Sequence, residues 1–165
     1  MKIVKALGYL FAAEIMSLFI GLTLAGSSSG AMRMFSAICT TGILVCLTIN
    51  FALNSAKETL RTERTDGIKA SPAPAFAIGG IMSAPLLVSW IVLKISHSTE
   101  SFDFYRWHKL LNAYFLQIYN FINTNAETSS LTAAQVNLMF PLVLIPFAAF
   151  TSTYFLVYKG IISES

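Results

Sequence analysis

Residues 6–25 read ALGYLFAAEIMSLFIGLTLA, an apolar stretch in which Glu14 is the one charged side chain, and this stretch decides the fold class. About 20 apolar residues suffice for a helix to cross the hydrocarbon core of a bilayer. Lys2 and Lys5 before the stretch would also suit a secretory signal, but Glu14 interrupts the apolar region that such a signal needs. We therefore expect residues 6–25 to form a membrane-spanning helix.

The composition of the whole 165-residue chain excludes several classes of protein. Hydrophobic residues make up 55% of the chain, charged residues only 12%, and the mean hydropathy is +0.66. A soluble domain carries roughly 25% charged residues, which excludes a soluble enzyme domain and a disordered chain. The net charge of +3 is spread along the chain without a basic cluster. We therefore expect the lipid bilayer, and no nucleic acid, as a partner.

Three further apolar stretches are long enough to span a bilayer, so the sequence predicts four transmembrane helices in one membrane domain, residues 1–165. The four spans are 6–25, 34–56, 74–93 and 133–158. A short Gly/Ser turn at residues 26–30 joins the first two spans and makes them antiparallel. The predicted fold class is an all-α integral membrane protein built as an antiparallel four-helix bundle.

Two local signals mark the fourth span. Thr132 and Gln135 have the spacing of a capping box, which predicts that the helix begins at residue 133. Pro141 and Pro146 each remove one backbone hydrogen bond, so we expect a kink in this span.

The second connection, residues 57–73, is rich in charged side chains and is expected to be a cytoplasmic loop. Glu58 and Arg61 stand at helical spacing, so the second helix should continue beyond the membrane. Asp66 and Gly67 should then end it. The loop is either simply solvated or a docking site for a cytoplasmic partner.

The distribution of Lys and Arg predicts that both termini are cytoplasmic, because basic residues are retained on that side. With the N-terminus inside, the cytoplasmic side holds Lys2, Lys5, Lys57, Arg61, Arg64, Lys69 and Lys159, and the opposite side holds Arg33, Lys94, Arg106 and Lys109.

Apolar residues recur at spacings of three and four in the third connection, which predicts an amphipathic helix over residues 104–123. Trp107, Tyr114, Phe115 and Ile118 belong to its apolar side. Such helices lie in the membrane interface, with Trp and Tyr at the level of the headgroups. We expect an interfacial helix that caps the bundle on the outer side; a lid over a cavity and a partner-binding surface are the alternatives.

Polar side chains inside the spans define a candidate site. Glu14 lies well inside the first span, and an ionisable group at that depth is a functional candidate by default. Ser17, Asn50, Asn54 and Ser152 are expected at similar depth and would complete a polar layer. The layer is either a site for a proton, an ion or a small solute, or a structural contact in which Glu14 is protonated or hydrogen-bonded to Asn50.

Small residues form a stripe along the third span, where a neighbouring helix is expected to pack closely. The stripe consists of Ala73, Ala77, Gly80 and Ala84.

Signals for metal, cofactor or catalysis are weak. His97 and His108 flank Glu100 and Asp103, but their spacing matches no zinc-ligand pattern. Motifs of hydrolases, metalloproteases, nucleotide-binding proteins and dithiol oxidoreductases are absent from the sequence. We expect no metal, no cofactor and no enzymatic activity.

The sequence therefore predicts a non-catalytic membrane subunit that packs with itself or with other membrane proteins. The alternative is a small-solute or ion transporter, or a homo-oligomeric channel, that uses the polar layer around Glu14.

Overall fold

A computed structural model describes residues 2–24, 29–67, 71, 73–99 and 101–160. These residues are helical or lie in turns and short connections, and no strand occurs among them. Four of the helical segments are long and apolar enough to cross a membrane. Most of the predicted turn at 26–30, and residues 68–70 and 72 of the second connection, lie outside the described residues.

The first three spans are continuous helices: α1 is Lys2–Leu24, α2 is Gly30–Asp66 and α3 is Ala73–Thr99. α2 runs through much of the predicted loop and ends at Asp66, as the sequence predicted. Gly67 follows in the left-handed conformation with φ 69°, and its N–H donates to the Glu63 carbonyl over 2.9 Å. Glycine adopts this conformation without steric cost, which explains the stop.

The fourth span consists of three helical pieces, α6 (Ala133–Leu138), α7 (Phe140–Val143) and α8 (Ile145–Tyr158). The capping box predicted for Thr132 and Gln135 is present, with both reciprocal hydrogen bonds formed. Pro141 and Pro146 stand in the first turns of α7 and α8, where a missing backbone N–H costs little. The two prolines, from which a kink was predicted, therefore stand where the span is divided into helical pieces.

The spans contact one another to form a bundle in which α2 packs against α1 and α8, and α3 packs against α8 and α1. The Lys2 ammonium lies 3.5 Å from the Glu58 carboxylate, which joins the start of α1 to the far part of α2. The Trp90 indole N–H donates to the Val136 carbonyl over 2.9 Å, which joins α3 to α6. The interior contains fully buried apolar side chains from all four spans, among them Ala13, Leu44, Met82 and Phe150.

The third connection departs from the prediction, because a single helix over 104–123 does not form. The segment consists of α4 (Tyr105–Leu110), a 3₁₀ turn (Ala113–Phe115) and α5 (Leu116–Ile122). The turn contacts α1 and α2, and α4 contacts α3. We call residues 105–122 the inserted hairpin, and residues 112–115 its tip.

Hydrogen bonds at the open end of the inserted hairpin show that its two arms run in opposite directions. The Tyr105 hydroxyl at the start of α4 lies 3.2 Å from the carbonyls of Tyr119, within α5, and Asn123, just beyond its end. Asp103 Oδ1 accepts from the backbone N–H and the hydroxyl of Thr128, over 2.9 and 2.7 Å. These bonds close the connection above the bundle and direct the tip inward.

Candidate functional site

The tip of the inserted hairpin breaks the helical hydrogen-bond ladder inside the bundle, and Glu14 satisfies one of the freed groups. Glu14 Oε1 accepts from the backbone N–H of Ala113 over 2.9 Å. Irregular backbone away from water is stable only where protein groups replace the lost hydrogen bonds. Glu14 therefore holds the tip to α1.

Two threonines of α2 bind the same turn from another side. The hydroxyls of Thr40 and Thr41 lie 3.0 and 3.2 Å from the backbone carbonyl of Tyr114. A carbonyl oxygen has two lone pairs and can accept from both hydroxyls, and the single Thr40 proton is shared with the Ser36 carbonyl, 2.9 Å from the same hydroxyl. Successive residues of the tip are thus fixed to α1 and to α2.

A cluster of Ser89, His108 and Asn112 joins the tip to α3, and all three side chains are buried. Ser89 Oγ lies 2.8 Å from His108 Nδ1 and accepts from the Asn112 amide over 3.0 Å. The same amide group donates to the His108 carbonyl over 2.8 Å. The cluster therefore connects the last residue before the 3₁₀ turn to both α3 and α4.

The chemistry of this cluster favours a positioning role. Burial lowers the pKa of His108 to about 4, against the opposing effect of the Ser89 hydrogen bond, so the imidazole is neutral at physiological pH. A general base works best with a pKa near the operating pH. The Asn112 amide also occupies a lone pair of the Ser89 oxygen, which weakens that oxygen as a nucleophile. His108 Nε2 is buried and has no hydrogen-bond partner among the described residues.

Lys109 fastens the two arms of the inserted hairpin. Its ammonium donates to Asn120 Oδ1, the Asn123 carbonyl and the Asn125 carbonyl over 2.9, 2.9 and 2.7 Å. It also lies 4.3 Å from the centre of the Tyr105 ring. Burial lowers the pKa of Lys109 to about 8, which leaves most of it protonated at pH 7. All three N–H donors therefore have acceptors.

The residues predicted to form a polar layer are distributed differently. Asn50 and Asn54 lie on the outer surface of α2, where the Asn54 amide donates to Asn50 Oδ1 over 3.0 Å. Ser152 is exposed and donates to the Ala148 carbonyl over 2.6 Å. Ser17 is buried, and its hydroxyl has no partner among the described residues. The predicted contact between Glu14 and Asn50 is replaced by the contact between Glu14 and the tip.

The small-residue stripe of α3 faces outward from the chain. Ala73, Ala77, Gly80 and Ala84 are all exposed, and a Cβ placed on Gly80 would meet no atom within 4 Å. The buried face lies one position away and includes Gly79, where a Cβ would stand 3.0 Å from the Thr151 methyl group. Two adjacent faces of this helix are apolar, and the one that packs within the chain is the face with Gly79. Close packing of another helix on the stripe stays a prediction.

The four residues named for the interfacial helix separate into two groups. Trp107 is exposed on the outer side of α4, whereas Tyr114 and Phe115 are buried in the tip. Ile118 is half-buried and packs against the core. The sequence did not point to Thr40, Thr41, Ser89 or Asn112 as site residues. For Asn112 the available signal was a polar side chain within the otherwise apolar run 110–115.

An apolar groove runs between α1 and α3 beside the tip. It consists of two adjoining cavities of about 370 and 510 Å³, which share Leu7, Pro85 and Leu111. Glu14 and Tyr114 line the first cavity, and Ser89 lines the second. We call this feature the α1–α3 groove.

A metal centre finds no support in the described part of the chain, where no three His, Cys, Asp or Glu side chains are grouped. Comparison with known proteins adds no assignment. No family model, no curated protein and no solved structure matches this chain.

Proposed function

We propose that the chain is a non-catalytic integral membrane subunit that associates with a second copy of itself or with another membrane protein through α3. The observation that carries the proposal is the outward-facing stripe of Ala73, Ala77, Gly80 and Ala84. Small residues at helical spacing allow two transmembrane backbones to approach closely, and van der Waals packing then drives their association. Among the described residues, nothing lies within 4 Å of a Cβ placed on Gly80 of this stripe.

The proposal includes insertion into a bilayer as an antiparallel bundle. Four helices of sufficient length and hydropathy support insertion. The pairing of Lys2 with Glu58, and of Trp90 with Val136, supports opposite directions for successive spans. Direction alternates along the chain in this arrangement, which brings the start of α1, the end of α2 and the end of α8 to one side.

We propose that this side is cytoplasmic, and with it both termini. Lys2, Lys57, Arg61, Arg64 and Lys159 lie there, which fits the retention of basic residues in the cytoplasm. Lys109 is one of the four basic residues expected on the opposite side, and its ammonium is bound within the inserted hairpin. Accessibility of single cysteines at Arg64 and Arg106 to an impermeant maleimide in intact cells and in lysed cells would test the orientation.

The experiment for the association compares matched bulky substitutions in mild detergent and in lipid nanodiscs. Gly80→Leu and Ala77→Leu should reduce the oligomer, or the co-purified partner, at least tenfold while the monomer remains folded. Ala148→Leu is the control, because Ala148 is also small and exposed but lies on the fourth span. Equal association of Gly80→Leu and Ala148→Leu, or a wild-type chain that is monomeric and alone, would overturn the proposal.

Transport or channel activity is the second candidate, and one observation favours it: Glu14 lines the α1–α3 groove. The residues expected to continue a polar path, Asn50, Asn54 and Ser152, lie on the outer surface. The groove is apolar apart from a few groups, which suits an apolar solute better than a hydrated ion. Flux assays with Glu14→Gln in proteoliposomes would test this function.

A further inference from the structure

We propose that the α1–α3 groove binds a protonated lipophilic amine, with the ammonium group at Glu14 and the hydrocarbon body along the groove. The groove is formed within one chain, so the proposal does not need the association through α3, although Ala84 lines the second cavity and also belongs to the association stripe. Its first support is shape and surface: the two cavities adjoin and are lined mainly by aliphatic side chains. Binding sites for small organic molecules are apolar concavities with a few placed polar groups.

The second support is an acceptor without a donor. Glu14 Oε1 is used by Ala113, but Glu14 Oε2 is buried and has no hydrogen-bond partner among the described residues. Among the described residues, no Lys or Arg side chain forms a salt bridge with Glu14. A buried carboxyl oxygen is costly when it stays unpaired. An ammonium N–H supplies both the missing donor and the missing charge.

Pro85 interrupts the helical hydrogen-bond ladder beside the same groove. It has no N–H, so α3 offers no donor from that position to the carbonyl of Ile81. Ile81 and Pro85 both line the groove. This interruption is compatible with a ligand that carries more than one N–H donor.

Aromatic side chains complete the match. Phe11 and Tyr114 line the cavity that contains Glu14. A cation near the face of an aromatic ring gains electrostatic attraction, and the gain is larger away from water. Acceptor oxygens, aromatic rings and an aliphatic wall together recognise an amine with a hydrocarbon chain.

The test measures equilibrium binding of radiolabelled decylamine to the full chain in lipid nanodiscs, with decanol as the neutral probe of equal chain length. We expect saturable binding of decylamine and at least tenfold weaker binding of decanol. Glu14→Gln should weaken decylamine binding at least tenfold, because the amide loses the charge but keeps an oxygen for Ala113. Undiminished binding to Glu14→Gln, or purely non-saturable uptake, would overturn the proposal.

A second pair of variants keeps the test independent of Glu14. Val88 lines the groove from the exposed side of α3, and Ile91 is exposed on the same helix without lining either cavity. Val88→Trp should fill the groove and abolish decylamine binding, whereas Ile91→Trp should leave it unchanged. Equal binding by the two variants would contradict the site. Leu7→Trp, which fills the groove from α1, should abolish decylamine binding while the association through α3 stays intact, and this result separates the proposal from the function proposed above.

Discussion

The carboxylate of Glu14 accepts the backbone N–H of Ala113 over 2.9 Å, so the first span and the third connection meet inside the bundle. The charge that stands out in the sequence of α1 thus has a defined structural partner. Because the helical ladder is broken at the tip, the Ala113 N–H has no helical acceptor and depends on this contact. Glu14 is therefore a positioning residue for the inserted hairpin. Its second carboxyl oxygen, Oε2, has no hydrogen-bond partner among the described residues.

Replacing Glu14 by Leu should expose this dependence at the amide of Ala113. We expect hydrogen exchange of that amide to accelerate at least tenfold, because a buried hydrogen bond is worth about 1–3 kcal/mol when one partner is removed. Glu14→Gln should retain most of the protection, since its side-chain oxygen can accept the same bond. The amide of Asn123, which donates to the Tyr119 carbonyl outside the tip, provides the internal reference. Equal exchange rates in the two variants would show that Ala113 does not depend on Glu14.

Thr40 and Thr41 should behave as a redundant pair. In Thr40→Val or Thr41→Val one hydroxyl still reaches the Tyr114 carbonyl, whereas the double variant leaves it without a donor from α2. The double variant should therefore lose about 1 kcal/mol more than the sum of the single variants. Unfolding free energies of the four proteins in detergent form the required double-mutant cycle. Strictly additive losses would mean that the two hydroxyls act independently.

The four apolar stretches and two helix boundaries, at residues 67 and 133, could be predicted from the sequence because their signals are local, whereas α3 continues to Thr99, beyond the predicted end at residue 93. A run of apolar residues, the Thr132–Gln135 spacing and the glycine at position 67 each determine structure within a few neighbouring residues. The inserted hairpin could not be predicted in this way. Its break carries no Pro or Gly, and the groups of the spans that stabilise it lie 23 to 99 residues away in the chain. The aromatic periodicity fitted a lipid interface equally well.

Lowering the pH should weaken the fold through His108. Its pKa falls from 6.5 to about 4 on folding, so between these values the unfolded chain binds a proton that the folded chain excludes. The contribution to stability is fully present above pH 6.5 and is lost as the pH falls towards 4. The linked loss approaches about 3 kcal/mol at the acid end. The difference in unfolding free energy between wild type and His108→Gln, measured from pH 7 to pH 4, separates the titration of His108 from that of the carboxyl groups. A difference independent of pH would mean that His108 titrates as it does in the unfolded chain.

The neighbouring glycines of α3 offer a matched test of which face of the helix is buried. A Cβ on Gly79 would lie 3.0 Å from a Thr151 methyl carbon and 3.1 Å from the Phe147 ring, closer than ordinary contacts. Gly79→Ala should therefore cost about 1–3 kcal/mol of stability through overpacking between α3 and α8. Gly80→Ala meets open space and should leave the unfolding midpoint of the isolated chain unchanged or slightly raised. Thermal unfolding in detergent measures which of the two variants has the lower unfolding midpoint. If Gly80→Ala were the destabilised variant, the small-residue stripe would pack within the chain, and the proposed association surface would no longer be available.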